Sequence, residues 1–247
     1  MSYDLFAEYY DELMSGADYP ARARYIDGII KEHKPDAHLL VDLACGTGSM
    51  TVEFAAMGYD VIGTDLSENM LSKAREKSDG SILYLCQSMQ ELDMYGTIDA
   101  FVCTLDSLNH IEDREQLVLA LSRVSLFMEP DGVFVFDMNT PYKHEHILAD
   151  NAFVFETEDV YCVWQNEYTG DGRVEIALDF FERQPDGSYL RDCEDFAEVA
   201  YSVEETESLL HQAGLKLSAV YDDMTRAAPR SDSERIVFVA RKIISDM

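Results

Sequence analysis

Basic side chains are scarce in this chain: 19 Lys and Arg stand against 48 Asp and Glu, for a formal net charge of −29. Such a surface repels phosphate backbones and anionic headgroups, so a nucleic-acid partner is disfavoured. No apolar run approaches the roughly 18 residues of a membrane span. The start, Met1-Ser2-Tyr3-Asp4, lacks the basic stretch and apolar run of a secretory signal. The five cysteines (Cys45, Cys86, Cys103, Cys162 and Cys193) are odd in number and include no C-x-x-C pair. That argues against a disulfide framework or a zinc site. Cys86 and Cys103 lie in apolar stretches and read as buried thiols of a reducing compartment. A cytoplasmic protein is expected. Gly and Pro are not inflated, so most of the chain should fold.

What is present is a large core and an ordered alternation of patterns. Of 247 residues, 47% are apolar, enough for one large domain or a domain with an insertion. Tyr3, Phe6, Tyr9, Tyr10 and Leu13 recur at helical spacing, and a second helix is expected from Ala21 to His33. Strands are then expected at Leu39–Leu43, Asp60–Thr64, Ile82–Cys86, Ile98–Thr104 and Val133–Asp137. Helices are expected between them, at Ser49–Met57, from Ser67 through Ala74, and at Leu117–Phe127 behind an Asp113/Gln116 cap. Strand–helix alternation implies a parallel sheet covered on both faces. From about Ala152 to Tyr201 the period changes to two: Val174, Ile176, Leu178 and Phe180 alternate with Glu175, Ala177, Asp179 and Phe181. Thr169-Gly170-Asp171-Gly172 and Pro185-Asp186-Gly187-Ser188 are hairpin turn signals. A capping box at Ser202 and Glu205 and a helix stop at Gly214 follow, then strands at Leu217–Tyr221 and Ile236–Val239. The expected fold is α/β: a doubly wound, Rossmann-like, mostly parallel seven-stranded sheet ending in an antiparallel hairpin, with an inserted antiparallel meander. Residues 1–150 and 202–247 form its main domain, and 151–201 the insertion.

Ligands of open α/β sheets bind beyond the carboxyl ends of the strands. After the first strand stands the turn Val41-Asp42-Leu43-Ala44-Cys45-Gly46-Thr47-Gly48. Its glycines permit unusual torsions and close approach of a ligand. The helix that follows offers unpaired N–H groups to a carboxylate. A dinucleotide fingerprint would place a third glycine at position 51, where Thr51 stands, which weakens a nicotinamide or flavin reading. Val61-Ile62-Gly63-Thr64-Asp65 is a strand ending in a carboxylate about 20 residues after the turn, the place of a ribose contact. Asp65 could otherwise cap the next helix.

Asp42-x-Ala44-x-Gly46-x-Gly48 with Asp65-Leu66-Ser67-x-x-Met70-Leu71 resembles the class I S-adenosylmethionine-dependent methyltransferases. Several segments look like small bacterial members that carry a β insertion after the fifth strand. They are Tyr3-x-x-Phe6-Ala7-x-x-Tyr10-Asp11, Leu105-Asp106-Ser107-Leu108-Asn109-His110, Phe136-Asp137-Met138-Asn139-Thr140 and Ser233-Glu234-Arg235-Ile236. The resemblance implies S-adenosylmethionine as cofactor. Asp42 opens the motif, and the turn from Ala44 through Cys45 and Gly46 to Gly48 would hold the methionine part. Asp65 would take the ribose hydroxyls, and Leu66 and Met70 would line the adenine slot. Ser88-Met89-Gln90 would flank the adenine edge, with Ser88 where many members have an aspartate. Leu105 and Asp106 would sit beside the reactive sulfonium, and Tyr10 and Tyr19 would close over the cofactor.

Methyl transfer needs alignment more than a catalytic triad, because the cofactor brings an activated leaving group. Asp106, Asn109 and His110, following the fourth strand, are the candidate catalytic cluster. His110 could act as a base, or simply cap or pack at a helix start. Asp106 could orient a ligand or belong to a turn, and Asn139 could reach the substrate cleft or serve in a turn. His144-x-His146 has no third ligand of convincing spacing, so a solvated face is expected there and no metal. Between Glu156 and Glu207 stand 16 acidic and 3 basic residues interleaved with Tyr161, Trp164, Phe180 and Phe181. That insertion could be a lid over a cationic or amine-bearing substrate, the edge of a homodimer, or an ornament with a solvated face. The expected activity is methyl transfer to a nitrogen or oxygen of a small-molecule acceptor. A different transfer from the same cofactor, and a non-catalytic nucleoside-binding module, are the alternatives.

Overall fold

A computed structural model describes residues 4–14 and 16–244. Tyr3, placed above at the start of the first helix, lies outside the described residues. Helix α1 (Asp4–Leu13) is followed by α2 (Tyr19–His33), whose N-cap Asp18 accepts from the Ala21 N–H. The alternating unit then runs β1 (Leu39–Leu43), α3 (Ser49–Ala56), β2 (Asp60–Asp65), α4 (Glu68–Lys77), β3 (Leu83–Cys86), β4 (Ile98–Cys103), α5 (Arg114–Phe127) and β5 (Met128–Asn139). Ser67 and Asp113 cap α4 and α5 through their side chains, because each accepts an otherwise unpaired N–H of the first turn. The C-terminal part is α6 (Val203–Gln212), opened by a complete Ser202/Glu205 capping box, then β10 (Leu215–Asp222) and β11 (Arg235–Lys242).

The sheet order is β10-β11-β5-β4-β1-β2-β3. β1 to β5 are parallel, and β11 inserts antiparallel between β5 and β10. One face packs on α5 and α6 through Phe101, Phe134, Phe136 and Phe238, and the other on α2 and α3 through Ile26, Ile30 and Phe54. β5 starts earlier than expected. It begins at Met128 instead of Val133, so that Asp131-Gly132 lies inside the strand beside a register shift against β4 between Ile98 and Ala100. Gly132 is required there, since a Cβ would come within 2.6 Å of Met128 Cγ and 3.0 Å of the Asp99 carbonyl.

The second sheet, β6 (Ala152–Glu156), β7 (Val160–Gly170), β8 (Arg173–Arg183) and β9 (Tyr189–Val199), is an antiparallel meander. Val174, Ile176, Leu178 and Phe180 of β8 are buried, as period two demands. They pack with Tyr9 and Phe6 of α1, and the Tyr9 hydroxyl donates to Glu182 at 3.1 Å. α1 also grips the main sheet's layer, where Lys77 of α4 bonds Asp11 at 2.8 Å. Among the described residues all five cysteines are free thiols. Cys103 is buried as expected, but Cys86 is exposed, because it ends the edge strand β3.

Candidate active site

The carboxyl ends of β1, β2, β4 and β5 converge on one rim. After β1, Ala44, Gly46 and Gly48 have φ of 51°, 54° and 76°. Two of these left-handed positions are glycines for different reasons. At Gly48 a Cβ would come 2.8 Å from the Tyr84 hydroxyl and 2.9 Å from the Ala74 Cβ, so glycine lets α4 approach. At Gly46 a Cβ would meet nothing within 4 Å, because this residue borders open space. That space is a cleft of about 330 Å³ lined by the turn, Tyr10, Tyr19, Thr104 and Leu105.

Two carboxylates brace the turn. Asp65 accepts the Gly46 N–H on Oδ2 and the Ser67 N–H on Oδ1, both at 2.8 Å. Burial raises its pKa, and the N–H donors of Ser67, Gly46 and Leu66 oppose that shift. Each oxygen keeps a lone pair, so bracing the loop and receiving a ligand hydroxyl are compatible. Asp42 lies beneath the turn, and burial pushes its pKa up to about 7. Thr51, standing where a dinucleotide site would have glycine, donates its hydroxyl to Asp42 at 2.6 Å. The Tyr19 hydroxyl is buried beside the cleft and meets no well-aligned hydrogen-bond partner among the described residues. Burial pushes its pKa up to about 12 and raises that of Tyr10 as well. Cys45 lines the cleft too, and burial raises its thiol well above the ordinary range, which makes it a poor nucleophile.

On the β4 side, Leu105 and Asp106 are both left-handed, at φ 59° and 57°. Strain of this kind persists only where surrounding groups enforce it. Here the enforcing group is Asp137 of β5, fully buried, which accepts the Leu105 N–H at 3.0 Å and the Asp106 N–H at 2.8 Å. Arg235 of β11 then bonds Asp137 and, at 2.8 Å, Asp106. Arg22 of α2 lies 3.5 Å from Asp137 and forms a bidentate pair with Asp223 at 2.9 and 2.8 Å. Burial alone would raise Asp106, but Arg235 and Lys143 more than offset it, leaving the carboxyl well below its usual range.

Beyond Asp106 lies a second cluster. The Asn139 Nδ2 donates to Asp106 at 2.6 Å and to Glu198 of β9 at 3.0 Å, while its Oδ1 accepts from Lys143 at 2.9 Å. Asn139 is therefore a buried junction, neither a turn residue nor free in the cleft. Asn109, a catalytic candidate above, engages its amide wholly with backbone. It donates to the Val199 and Asn139 carbonyls and accepts the Asn139 N–H. This geometry makes it a clamp between β5 and β9. His110 is different: its side chain is 41% exposed, 3.8 Å from Glu198 and 5.1 Å between ring centres from Phe196. It borders an open groove of about 1540 Å³ shared with Glu112, Glu167, Arg173 and Asp195.

The remaining expected residues sit at the β2–β3 end. Leu66 is 69% exposed and Met70 buried. Ser88 caps a 3-10 turn, Met89–Glu91, accepting the Glu91 N–H at 3.2 Å, so its hydroxyl is partly engaged. Met89 and Gln90 are half-buried. His144 and His146 diverge on the π-helical turn Lys143–Leu148: His146 is exposed as expected, whereas His144 is buried with Nδ1 2.7 Å from the Gly172 carbonyl. Three participants escaped the sequence reading. Glu198 was hidden in an acidic alternating strand. Arg235 and Asp137 were noted only inside motifs, and nothing local signals that they pair.

Comparison with known proteins matches residues 40–132 to a methyltransferase-domain family model. The Bacillus subtilis (strain 168) protein named "Putative methyltransferase YqeM" is 34% identical over 98% of this chain and 98% of its own. A crystal structure of an S-adenosylmethionine-dependent methyltransferase from Clostridium acetobutylicum ATCC 824 is 30% identical, covers 98% of this chain and 99% of that one, and superposes with a TM-score of 0.87. The dTDP-3-amino-3,4,6-trideoxy-alpha-D-glucopyranose N,N-dimethyltransferase of Streptomyces venezuelae is 32% identical over 60% of this chain and 59% of its own. The protein belongs to the S-adenosylmethionine-dependent methyltransferases and uses S-adenosylmethionine as its cofactor.

Proposed function

We propose that this enzyme methylates the nitrogen of a small amine-bearing acceptor that enters by the groove beside His110. The observation that carries this reading is the chain of contacts from Asp106 through Asn139 and Glu198 to His110, which links the strained Leu105–Asp106 loop to a groove bordered by His110, Glu167 and Asp195. Acidic walls attract a protonated amine. The similarity to an enzyme named as an amino-sugar N,N-dimethyltransferase supports the same class, with a hydroxyl acceptor as the second reading.

The cleft fits the cofactor by three observations. It has an open position over Gly46, a buried Tyr19 hydroxyl with no well-aligned hydrogen-bond partner among the described residues, and a large exposed apolar side chain, Leu66, next to Asp65. In this reading Ala44 to Gly48 and the start of α3 receive the amino-acid end, Asp65 the ribose hydroxyls, and Leu66 and Met70 one face of the adenine. Ser88, Met89 and Gln90 stand at its edge, and Tyr10 and Tyr19 cover it. S-adenosylmethionine supplies a methyl group on a positively charged sulfur, a leaving group needing no further activation. The chain's own part is alignment, worth roughly 7–11 kcal/mol in favourable cases, together with removal of the acceptor's proton, for which His110 is the exposed candidate. The inserted sheet acts as the far wall of the acceptor groove.

The test is a screen for S-adenosylhomocysteine release over paired amines and alcohols of equal size. Turnover confined to alcohols would sink the amine assignment. Calorimetric binding of NAD in place of S-adenosylhomocysteine would overturn the reading of the cleft.

A further inference from the structure

The mechanism so far leaves a buried carboxylate unused. Glu198 is 3% exposed and sits on β9 of the inserted sheet, two residues from Phe196. Residues two apart share a strand face, so β9 presents both to the same neighbour. That neighbour is His110, whose ring tilts against Phe196 at 5.1 Å and whose Nε2 lies 3.8 Å from the Glu198 Oε1. Glu198 is the one ion-pair partner His110 has among the described residues.

The other carboxylate oxygen is anchored. Oε2 accepts from the Asn139 amide at 3.0 Å and faces the His144 Nε2 at 3.3 Å, off the line of a hydrogen bond. His144 is itself fixed, because its Nδ1 lies 2.7 Å from the Gly172 carbonyl, which can only accept. The Nδ1 must therefore carry a hydrogen. Asn139 also bonds Asp106, which ties Glu198 to the loop lining the cofactor cleft.

We propose that Glu198 is a positioning residue for methyl transfer: with Oε2 held by Asn139, its Oε1, 3.8 Å from the His110 Nε2, moves the few tenths of an ångström to hydrogen-bond distance when the acceptor binds, keeps the His110 hydrogen on Nε2 and leaves Nδ1 to receive the acceptor's proton. This rests on the reading of His110 as the base. In the step, the protonated amine first gives a proton to His110 Nδ1, giving an imidazolium beside the Glu198 carboxylate. The lone pair so freed forms the new bond to the methyl carbon, and the sulfur–methyl bond breaks with its electrons staying on sulfur. The inserted sheet thereby contributes to the chemistry as well as to the groove wall.

The experiment is ring-nitrogen NMR on the full chain labelled with 15N-histidine, saturated with S-adenosylhomocysteine above neutral pH. The His110 signals are assigned by their loss in His110→Gln. The expected wild-type result is a single neutral tautomer of His110 with hydrogen on Nε2. In Glu198→Gln that signature is lost to a mixture of tautomers. Glu198→Asp, which withdraws the carboxylate by one methylene, serves as the second variant should Glu198→Gln fail to fold, and is expected to move His110 the same way. Hydrogen on Nδ1 in the wild type, or an unchanged His110 signature in a folded Glu198 variant, overturns the proposal. Failure of S-adenosylhomocysteine to shift any signal would instead strike at the reading of the cleft, and the His110 tautomer is read in either event.

Discussion

Arg235→Met should be the most damaging single change on the rim at the ends of β4 and β5 that leaves the glycine turn untouched. Arg235 reaches Asp106 and Asp137 together, with side chains 14%, 20% and 0% exposed respectively. Methionine fills much of the volume but leaves both carboxylates without their shared cation. Removing one partner of a buried pair typically costs about 3–5 kcal/mol, because a desolvated charge is left behind. Asp137 retains two backbone N–H donors and Arg22, and Asp106 retains Asn139, so the lower end, about 3 kcal/mol, is expected. The assay is urea unfolding at neutral pH, followed by the fluorescence of Trp164, with the slope unchanged. The double variant Arg235→Met with Asp106→Asn should recover part of the loss, since it removes a stranded charge. pH gives a further check. The Asp106 carboxyl is held below its usual range in the folded protein, so its contribution is full above the unfolded pKa and disappears as pH falls through the folded value. Arg235→Met should flatten that acid-side loss. A loss below about 1 kcal/mol with no recovery in the double variant would refute the account of the rim.

Other outcomes follow from the cofactor end. Asp65→Ala should weaken S-adenosylhomocysteine by about 10–100-fold in calorimetry, the scale of charge-assisted hydrogen bonds, and unchanged affinity would remove Asp65 from the ribose contact. Gly46→Ala adds a methyl group on the open side of the turn at a positive φ, so a loss of affinity is expected alongside about 1–2 kcal/mol of backbone strain. Asp42 titrates in the folded protein at about 7, above its unfolded value, so its stabilising proton is present at low pH and lost as pH rises through about 7. The contribution of Asp42 to stability should therefore decline between about pH 4 and 7, and Asp42→Asn should decline less over that range; parallel curves would disprove the assignment.

Much of this protein is legible along the chain because the signals are local. Ser67, Asp113 and Ser202 announce helix starts, Gly46 and Gly48 a turn with left-handed torsions, and the Val174–Phe180 alternation a half-buried strand. Each depends on interactions within a few residues, so spacing alone carries them. The early start of β5 was not legible, because its bulge is set by contact with Asp99 on the neighbouring strand. The burial of His144 was hidden for the same kind of reason, since the Gly172 carbonyl that holds it comes from the turn between β7 and β8.

The sequence by itself determined the alternating fold, the glycine turn after β1 and the acidic partner of that turn. Only the tertiary structure decided how the rim at the ends of β4 and β5 is held. Arg235 meets Asp106 across 129 residues, and Glu198 meets Asn139 across 59. Such pairings exist because β11 inserts beside β5 and β9 packs over the end of β4, a matter of strand order and layer packing. No local periodicity encodes which distant charge will share a buried site, and desolvation makes those unencoded pairs the strongest electrostatic features of the site.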